Sequence, residues 1–232
     1  INSYDQTKPE LADIIIPIGG DGILLKSLHD FNMLNKPFFG INYGSVGFLM
    51  NSISDKNLEE LVKNSKSTNL KPLKMIAKDD KNDTYESIAY NEVSLMRQSH
   101  QASKLQIMIN SVKRMNELIC DGVLVSTSAG STAYNLSAHG SILPLDSHLL
   151  ALTPISAFRP RRWRGALLSE KSIINISVLN FKDRETSVTA DNIEFRNIKE
   201  VTIQSSKDKN CKILFDNNHS IEDKILNEQF EY

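Results

Sequence analysis

The first third of the chain alternates short apolar runs with segments of helical periodicity. Residues 13–18 form an apolar run typical of buried parallel strands, and residues 38–42 form a second one. Residues 23–34 and 54–64 repeat apolar side chains at the spacing of one helical face. Strands that alternate with helices in this way predict an α/β layer with a mostly parallel sheet.

The rest of the chain changes to a period of two. Apolar and polar residues alternate over 73–77, 105–109, 174–178 and 201–203, as in strands that bury one face. Residues 85–97 predict either a pair of strands or one long bent strand. Strands of this kind at such spacing predict antiparallel sheets packed as a sandwich.

The change of period sets the predicted domain organisation. We place the boundary near Asn91, so that residues 1–91 form an α/β domain, Rossmann-like with a mostly parallel sheet, and residues 92–219 form an all-β sandwich. The segment 220–232 predicts a closing amphipathic helix that is capped by Ser220. Because the sequence begins with isoleucine rather than methionine, we expect part of the gene product to lie upstream of it.

Composition narrows the functional classes. The 232 residues include 27 Lys or Arg and 28 Asp or Glu, so the net charge is −1, which argues against a nucleic-acid carrier or a polybasic membrane binder. No apolar run approaches the ~18 residues of a membrane-spanning helix. Cys120 and Cys211 are too few for a disulfide framework, so a cytoplasmic location is expected.

Nine of the ten glycines fall in two windows, 19–47 and 122–140. Glycine allows a positive φ or the close approach of another group to the backbone. The clustering therefore indicates either two loops that meet one ligand or tight turns alone.

The first window holds Gly-Gly-Asp-Gly at 19–22, directly after an apolar run and at the start of a predicted helix. The carboxyl ends of parallel strands and the amino ends of helices favour binding of phosphates and sugars. A carboxylate repels phosphate, so Asp21 either accepts a proton from a hydroxyl nucleophile or orders a magnesium ion. The alternative is that Asp21 caps the helix.

Two further segments carry polar side chains suited to a nucleotide. Asn91 and Glu92 offer a carboxamide and a carboxylate for ribose hydroxyls or a base, or else form a hairpin turn. Residues 121–137 run from a strand into small hydroxyl residues and a predicted helix near Ser131, in which Tyr134 can stack on a base. An ordinary capped helix is the alternative for this segment.

These motifs occur together in an order that resembles bacterial ATP-dependent NAD kinases. The resemblance includes 40–49 (Gly-Ile-Asn-Tyr-Gly-Ser-Val-Gly-Phe-Leu), the segment 152–156 and the closing helix, which is expected to return to the first domain. It implies transfer of the ATP γ-phosphate to the 2′-hydroxyl of the NAD adenosine ribose, at a site between the two domains. Polyphosphate is an alternative donor, and Mg²⁺ or another divalent cation is the implied cofactor.

The resemblance also implies residue roles. Asp21 is the implied catalytic base, and the implied phosphate-donor loop consists of Gly19, Gly20 and Gly22. The implied NAD contacts are Asp21, Gly22, Phe48, Asn91, Glu92, Asp121, Ala129, Thr132, Ala133, Tyr134, Ser137 and Asp191. No histidine has the spacing of a metal ligand, so no metal site of the protein's own is predicted. A homodimer or homotetramer is the implied assembly.

The sequence departs from the family pattern at Ser128 and Ala129, where a proline and a threonine are usual. These departures concern the phosphate donor more than NAD, and they keep open an inactive dinucleotide-binding regulator. A diacylglycerol-type lipid kinase is a second alternative. The basic cluster at 159–164 can clamp a triphosphate, although a surface or subunit contact is the favoured interpretation.

Overall fold

A computed structural model gives the fold and describes residues 7–44, 47–52, 57–217, 223–224, 226 and 230. The chain divides into two compact units: the first joins Ile1–Leu70 to Asp208–Tyr232, and the second is Lys71–Lys207. This division differs from the predicted boundary near Asn91. The strands between Lys71 and Asn91 pair within the sheets of the second unit.

The elements of the first unit begin at the carboxyl end of the first apolar run. In chain order they are β1 (Ile18–Gly19), α1 (Asp21–Phe31), β2 (Ile41–Asn42), α2 (Leu58–Lys63) and β3 (Lys66–Leu70). The elements of the second unit are β4 (Leu73–Asp79), β5 (Thr84–Ala89), β6 (Glu92–Arg97), β7 (Ser103–Ile109), β8 (Val112–Cys120), β9 (Gly122–Ser126), α3 (Tyr134–Ser137), β10 (Leu149–Ile155), β11 (Ala166–Ser169), β12 (Ile174–Val178), β13 (Thr186–Ala190), β14 (Ile193–Phe195) and β15 (Ile198–Ser205). The last strand, β16 (Cys211–Phe215), belongs to the first unit.

The first unit combines parallel and antiparallel pairing. β1 pairs in parallel with β2, and Phe38 forms parallel bridges to Ile15 and Ile213. β16 pairs antiparallel with β3. On one face of α1, Leu24 and Leu28 are fully buried, which is the reason that this segment forms an amphipathic helix. The strand-to-helix connection at residues 19–21 is thus the one that the sequence predicts.

The second unit is built from two six-stranded antiparallel sheets. Their strand orders are β11-β10-β9-β6-β13-β14 and β5-β4-β15-β12-β7-β8. Inward-facing residues of both sheets form one hydrophobic cluster; in β4 these are Leu73, Met75 and Ala77, which alternate with more exposed residues. Burying every second side chain explains the period-two pattern of this part of the chain.

Several predicted elements differ in detail. Residues 85–97 form two strands, β5 and β6, that lie in different sheets rather than pairing with each other. The predicted helix near Ser131 is a 3₁₀ turn at Ala129–Thr132 followed by the four-residue α3. The Ser131 hydroxyl there donates to the nearby carbonyl of Ser128, a local bond that competes with a regular helix.

The predicted helix ends differ as well. The side chain of Asn57 accepts the backbone N–H of Glu59 and caps α2, whereas the predicted cap, Ser54, lies outside the described residues. Most of the predicted closing helix also lies outside them, and its described residues 223, 224, 226 and 230 are helical. Among the described residues, no helix is long and apolar enough to cross a membrane.

Candidate active site

Asp21 does not cap α1. The N-cap position is Gly20, and it makes no side-chain capping bond. The Asp21 carboxylate instead reaches the 47–50 loop, where Oδ2 accepts the N–H of Phe48 at 2.9 Å and Oδ1 accepts the N–H of Leu49 at 3.0 Å. The helix-cap interpretation of Asp21 is therefore wrong, because its oxygens are committed to a loop 27 residues away.

Asp21 is half-buried rather than sealed in the interior. Burial raises the pKa of Asp21, and the two backbone N–H bonds and the positive charge of Lys224 oppose that rise. Each carboxylate oxygen has one of its acceptor positions occupied by a backbone donor, so a second position remains on each. A carboxylate in this state is held in place and is still able to accept a proton.

Gly19 and Gly22, on either side of Asp21, differ in the space around them. A Cβ on Gly19 would lie 2.8 Å from Cγ1 of Ile23, so a side chain there would collide with α1. At Gly22, by contrast, a Cβ would meet no atom of the described residues within 4 Å. Packing against this described part of the chain therefore does not explain a glycine at position 22. Open space at the first turn of a helix leaves room for a ligand.

In the second unit, Asp191 holds the turn that carries two predicted NAD contacts. Its carboxylate accepts the backbone N–H groups of Tyr90 at 2.7 Å, Asn91 at 2.9 Å and Glu92 at 3.2 Å. Asp191 itself lies in the left-handed region, with φ of 51°. Its oxygens fix the 90–92 backbone, so Asp191 shapes this turn whether or not it also meets a ligand.

The Glu92 carboxylate, in the same turn, lacks a hydrogen bond at one of its oxygens among the described residues. Its Oε2 is buried and, among the residues that the structure describes, has no hydrogen-bond partner. Burial, with a smaller contribution from the negative charge of Asp191, raises the pKa of Glu92 from 4.5 to about 7. A buried acceptor without a donor costs stability, and a ligand hydroxyl or a bound proton would satisfy it.

The 121–137 segment packs against the same turn. Thr127 donates its Oγ1 hydrogen to the carbonyl of Tyr90 at 2.6 Å, and its backbone N–H donates to the carbonyl of Asn91 at 2.9 Å. A Cβ on Gly130 would lie 2.3 Å from the Asn91 carbonyl oxygen, so only glycine fits there. The structure thus brings together two motifs that are separated by about 35 residues in the sequence.

Asp121 is paired within the second unit. Nε of Arg97 lies 2.5 Å from Oδ1 of Asp121, and Nη1 of Arg97 donates to the carbonyl of Ser99. Tyr134 donates from its hydroxyl to Sδ of Met96 at 3.6 Å. Burial, followed by the charges of Glu92 and Asp121, raises the pKa of Tyr134. This electrostatic coupling places Tyr134 in the same group as the two carboxylates.

The remaining predicted contacts differ in accessibility. Thr132, Ala133 and Tyr134 are half-buried, Ser137 is exposed, and Ala129 is buried. Phe48 is half-buried in the loop that holds Asp21. Ala129 is therefore the predicted contact that a ligand can least easily reach.

Sequence reasoning missed three supporting residues. They are Thr127 and Arg97, already described, and Asn135, whose fully buried amide donates to the carbonyls of Ser131 and Ser141 and accepts from Oγ1 of Thr153. Thr127 and Asn135 lie inside the small-residue segment, whose unusual composition was a usable signal in the sequence. Arg97 had no such signal, because its partner lies 24 residues away.

The basic cluster forms an exposed patch of its own. The guanidinium carbons of Arg159 and Arg161 lie 5.6 and 4.9 Å from the ring centre of Phe158, which is 47% exposed. Trp163 packs against the hydrophobic cluster of the second unit.

Comparison with known proteins identifies the family. The ATP-NAD kinase N-terminal domain matches residues 1–68, and the ATP-NAD kinase C-terminal domain matches residues 90–215. The chain belongs to the NAD kinase family. An NAD kinase of Rickettsia canadensis is 52% identical over 227 residues, which cover 98% of this chain and 89% of that protein, and one of Rickettsia felis has the same identity and coverage.

Solved structures agree with this family. A yeast NADH kinase complexed with NADH has a TM-score of 0.80 at 24% identity, covering 95% of this chain and 67% of that one, and shows the shared fold. An NAD kinase from Archaeoglobus fulgidus in complex with ATP has a TM-score of 0.75 at 25% identity, covering 97% of this chain and 86% of that one. The matches favour NAD kinase over the diacylglycerol-type lipid kinase.

Proposed function

We propose that this NAD kinase uses Asp21 as the general base for transfer of the ATP γ-phosphate to the 2′-hydroxyl of the adenosine ribose. The hydroxyl proton passes to the Asp21 carboxylate, and the freed oxygen forms a bond to the γ-phosphorus. The bond between that phosphorus and the β,γ-bridging oxygen breaks, and ADP leaves. The products are NADP⁺ and ADP.

The observation that carries this proposal is the Asp21 carboxylate itself. It stands at the first turn of α1, immediately after β1, held by two backbone N–H groups. Burial raises the pKa of this carboxyl group toward the pH at which an enzyme works, which improves a general base as long as the carboxylate remains ionised. Apart from a proton acceptor, phosphoryl transfer requires the protein mainly to position the two substrates and to stabilise charge on the phosphates.

We assign NAD binding to the group around the 90–92 turn. Asn91 and Glu92 offer acceptors for ribose hydroxyls, and Oε2 of Glu92 has no described partner in the protein. Tyr134 offers an aromatic face to a base, and its charge coupling to Glu92 and Asp121 supports one shared subsite.

ATP is the phosphate donor that the family supports, and a divalent cation would neutralise charge on its phosphates. Among the described residues, no group of three or more His, Cys, Asp or Glu side chains is placed to hold a metal ion. Enzymes that transfer phosphate usually bind Mg²⁺ through the substrate phosphates and one or two carboxylates, and we propose the same for this protein. Polyphosphate as donor, a homo-oligomeric state and a cytoplasmic location remain predictions.

The test is Asp21→Asn, assayed by coupled detection of NADP⁺ and by calorimetric titration with NAD⁺. We expect turnover to fall by about 10²–10⁴ while the NAD⁺ dissociation constant stays within severalfold of wild type. Asp30→Asn, on the exposed side of the same helix, is the matched control. Wild-type turnover in Asp21→Asn would refute the assignment, and absence of NADP⁺ formation by the wild-type protein would favour the inactive regulator.

A further inference from the structure

Lys224 contacts the loop that holds Asp21. It lies in the helical C-terminal segment of the first unit, and its ammonium Nζ donates to the carbonyl of Gly47 at 2.7 Å and to that of Met50 at 3.0 Å. These two carbonyls bracket Phe48 and Leu49, whose N–H groups bind the Asp21 carboxylate. Lys224 therefore binds both ends of the 47–50 segment, whose N–H groups hold the Asp21 carboxylate.

The connection to Asp21 runs through a single peptide group. The carbonyl of Gly47 and the N–H of Phe48 belong to the same planar unit. Lys224 binds the oxygen of this unit, and Asp21 binds its hydrogen. A cation on the acceptor end polarises the peptide and strengthens the bond that its N–H makes, so the two contacts support each other.

The charges of Lys224 and Asp21 also complement each other. Burial lowers the pKa of Lys224, and the negative charge of Asp21 opposes that change. Among the described residues, Lys224 is the charged side chain whose field acts on Asp21, and it favours the ionised carboxylate. The Lys26–Asp30 pair, in the second half of α1, is solvent-exposed on the helix surface.

We propose that Lys224 is a positioning residue that fixes the Gly47–Phe48 peptide and, through it, the orientation of the Asp21 carboxylate. The inference rests on the proposed function, since it concerns the same carboxylate. Lys224 acts through the loop and is not assigned any contact with substrate. Loss of its ammonium frees two carbonyls and loosens the loop, which turns the carboxylate out of line for proton transfer.

The test compares Lys224→Met with Lys224→Arg and with the control Lys26→Met, whose lysine is 70% exposed on α1. We expect Lys224→Met to lower kcat by about 10- to 100-fold while KM for NAD⁺ and for ATP changes little, since a small misplacement of a reacting group costs this much. Lys224→Arg, which keeps a cationic donor, should restore most of the lost turnover. Lys26→Met should match wild type.

A second readout does not depend on activity. Amide hydrogen exchange at Phe48 and Leu49 should speed up in Lys224→Met and return toward wild type in Lys224→Arg, because both amides are held by Asp21 in a clamped loop. If Lys224→Met fails to fold, Lys224→Gln takes its place in both measurements.

Three results would overturn the inference. They are equal kcat in Lys224→Met and Lys26→Met, a rise in KM with unchanged kcat, and unchanged exchange at Phe48 and Leu49. The variant Asp21→Asn separates failure of the inference about Lys224 from failure of the proposed function. If Asp21→Asn is inactive while Lys224→Met is fully active, only the role of Lys224 is wrong; if Asp21→Asn is fully active, the general base itself is wrong.

Discussion

Glu92 should make the stability of the second unit depend on pH. Its pKa rises from 4.5 to about 7 in the folded protein, chiefly because the carboxyl group is buried. Between these values the folded state binds a proton that the unfolded state has released, so stability falls as pH increases. The difference between 4.5 and about 7 corresponds to about 3 kcal/mol, and most of it is lost between pH 5 and pH 8.

Glu92→Gln removes this titration and keeps the shape of the side chain. We would measure urea unfolding at pH 5 and pH 8 through the fluorescence of Trp163, the single tryptophan, which packs against the core of the second unit. Wild type should lose about 2–3 kcal/mol more than Glu92→Gln over that interval. The matched control is Glu185→Gln, because Glu185 is exposed in the same unit. Equal pH dependence in wild type and Glu92→Gln would show that the pKa of Glu92 is not raised in the folded protein.

Three other substitutions test the packing of the nucleotide subsites. Asp191→Asn removes a carboxylate that holds three N–H groups of the 90–92 turn, so the NAD⁺ dissociation constant should rise about tenfold and the free energy of unfolding should fall by about 1–3 kcal/mol. Wild-type affinity in a calorimetric titration would contradict this prediction. Gly130→Ala places a Cβ against the backbone of that turn and should destabilise the protein by about 1–3 kcal/mol in urea unfolding. A wild-type unfolding midpoint would mean that the turn shifts to accommodate the added methyl group. Gly22→Ala meets no atom of the residues that the structure describes within 4 Å, so it should leave the melting temperature unchanged or slightly higher while weakening substrate binding. Unaltered kinetics would remove Gly22 from the site.

The sequence was sufficient to predict several of the elements that carry the candidate site residues. An apolar run followed by glycines, an acid and a helical pattern correctly predicted the β1–α1 connection, because local patterns determine both elements. Alternation of period two correctly predicted the sheets of the second unit, since each strand buries one face. The bonds from Thr127 and the close contact of Gly130 bring Asn91 next to the small-residue segment, a contact that the sequence did not predict.

Other features depend on contacts that no local pattern records. The division at Leu70 escaped prediction because β4 and β5 have the same alternation whichever unit they join. The Arg97–Asp121 pair and the contact of Lys224 with the 47–50 loop join residues that are far apart in the sequence. Only the folded arrangement brings these partners together, so spacing along the chain carries no sign of them.

The central claim is that the Asp21 carboxylate accepts the proton in the phosphoryl-transfer step. The most direct measurement is a rapid-quench single turnover of γ-labelled ATP and NAD⁺ at saturating Mg²⁺, with wild type and Asp21→Asn compared at equal occupancy of both substrates. If Asp21 is the base, the rate constant for formation of labelled NADP⁺ should fall by about 10²–10⁴ in the variant. Equal rate constants in the two proteins would contradict it.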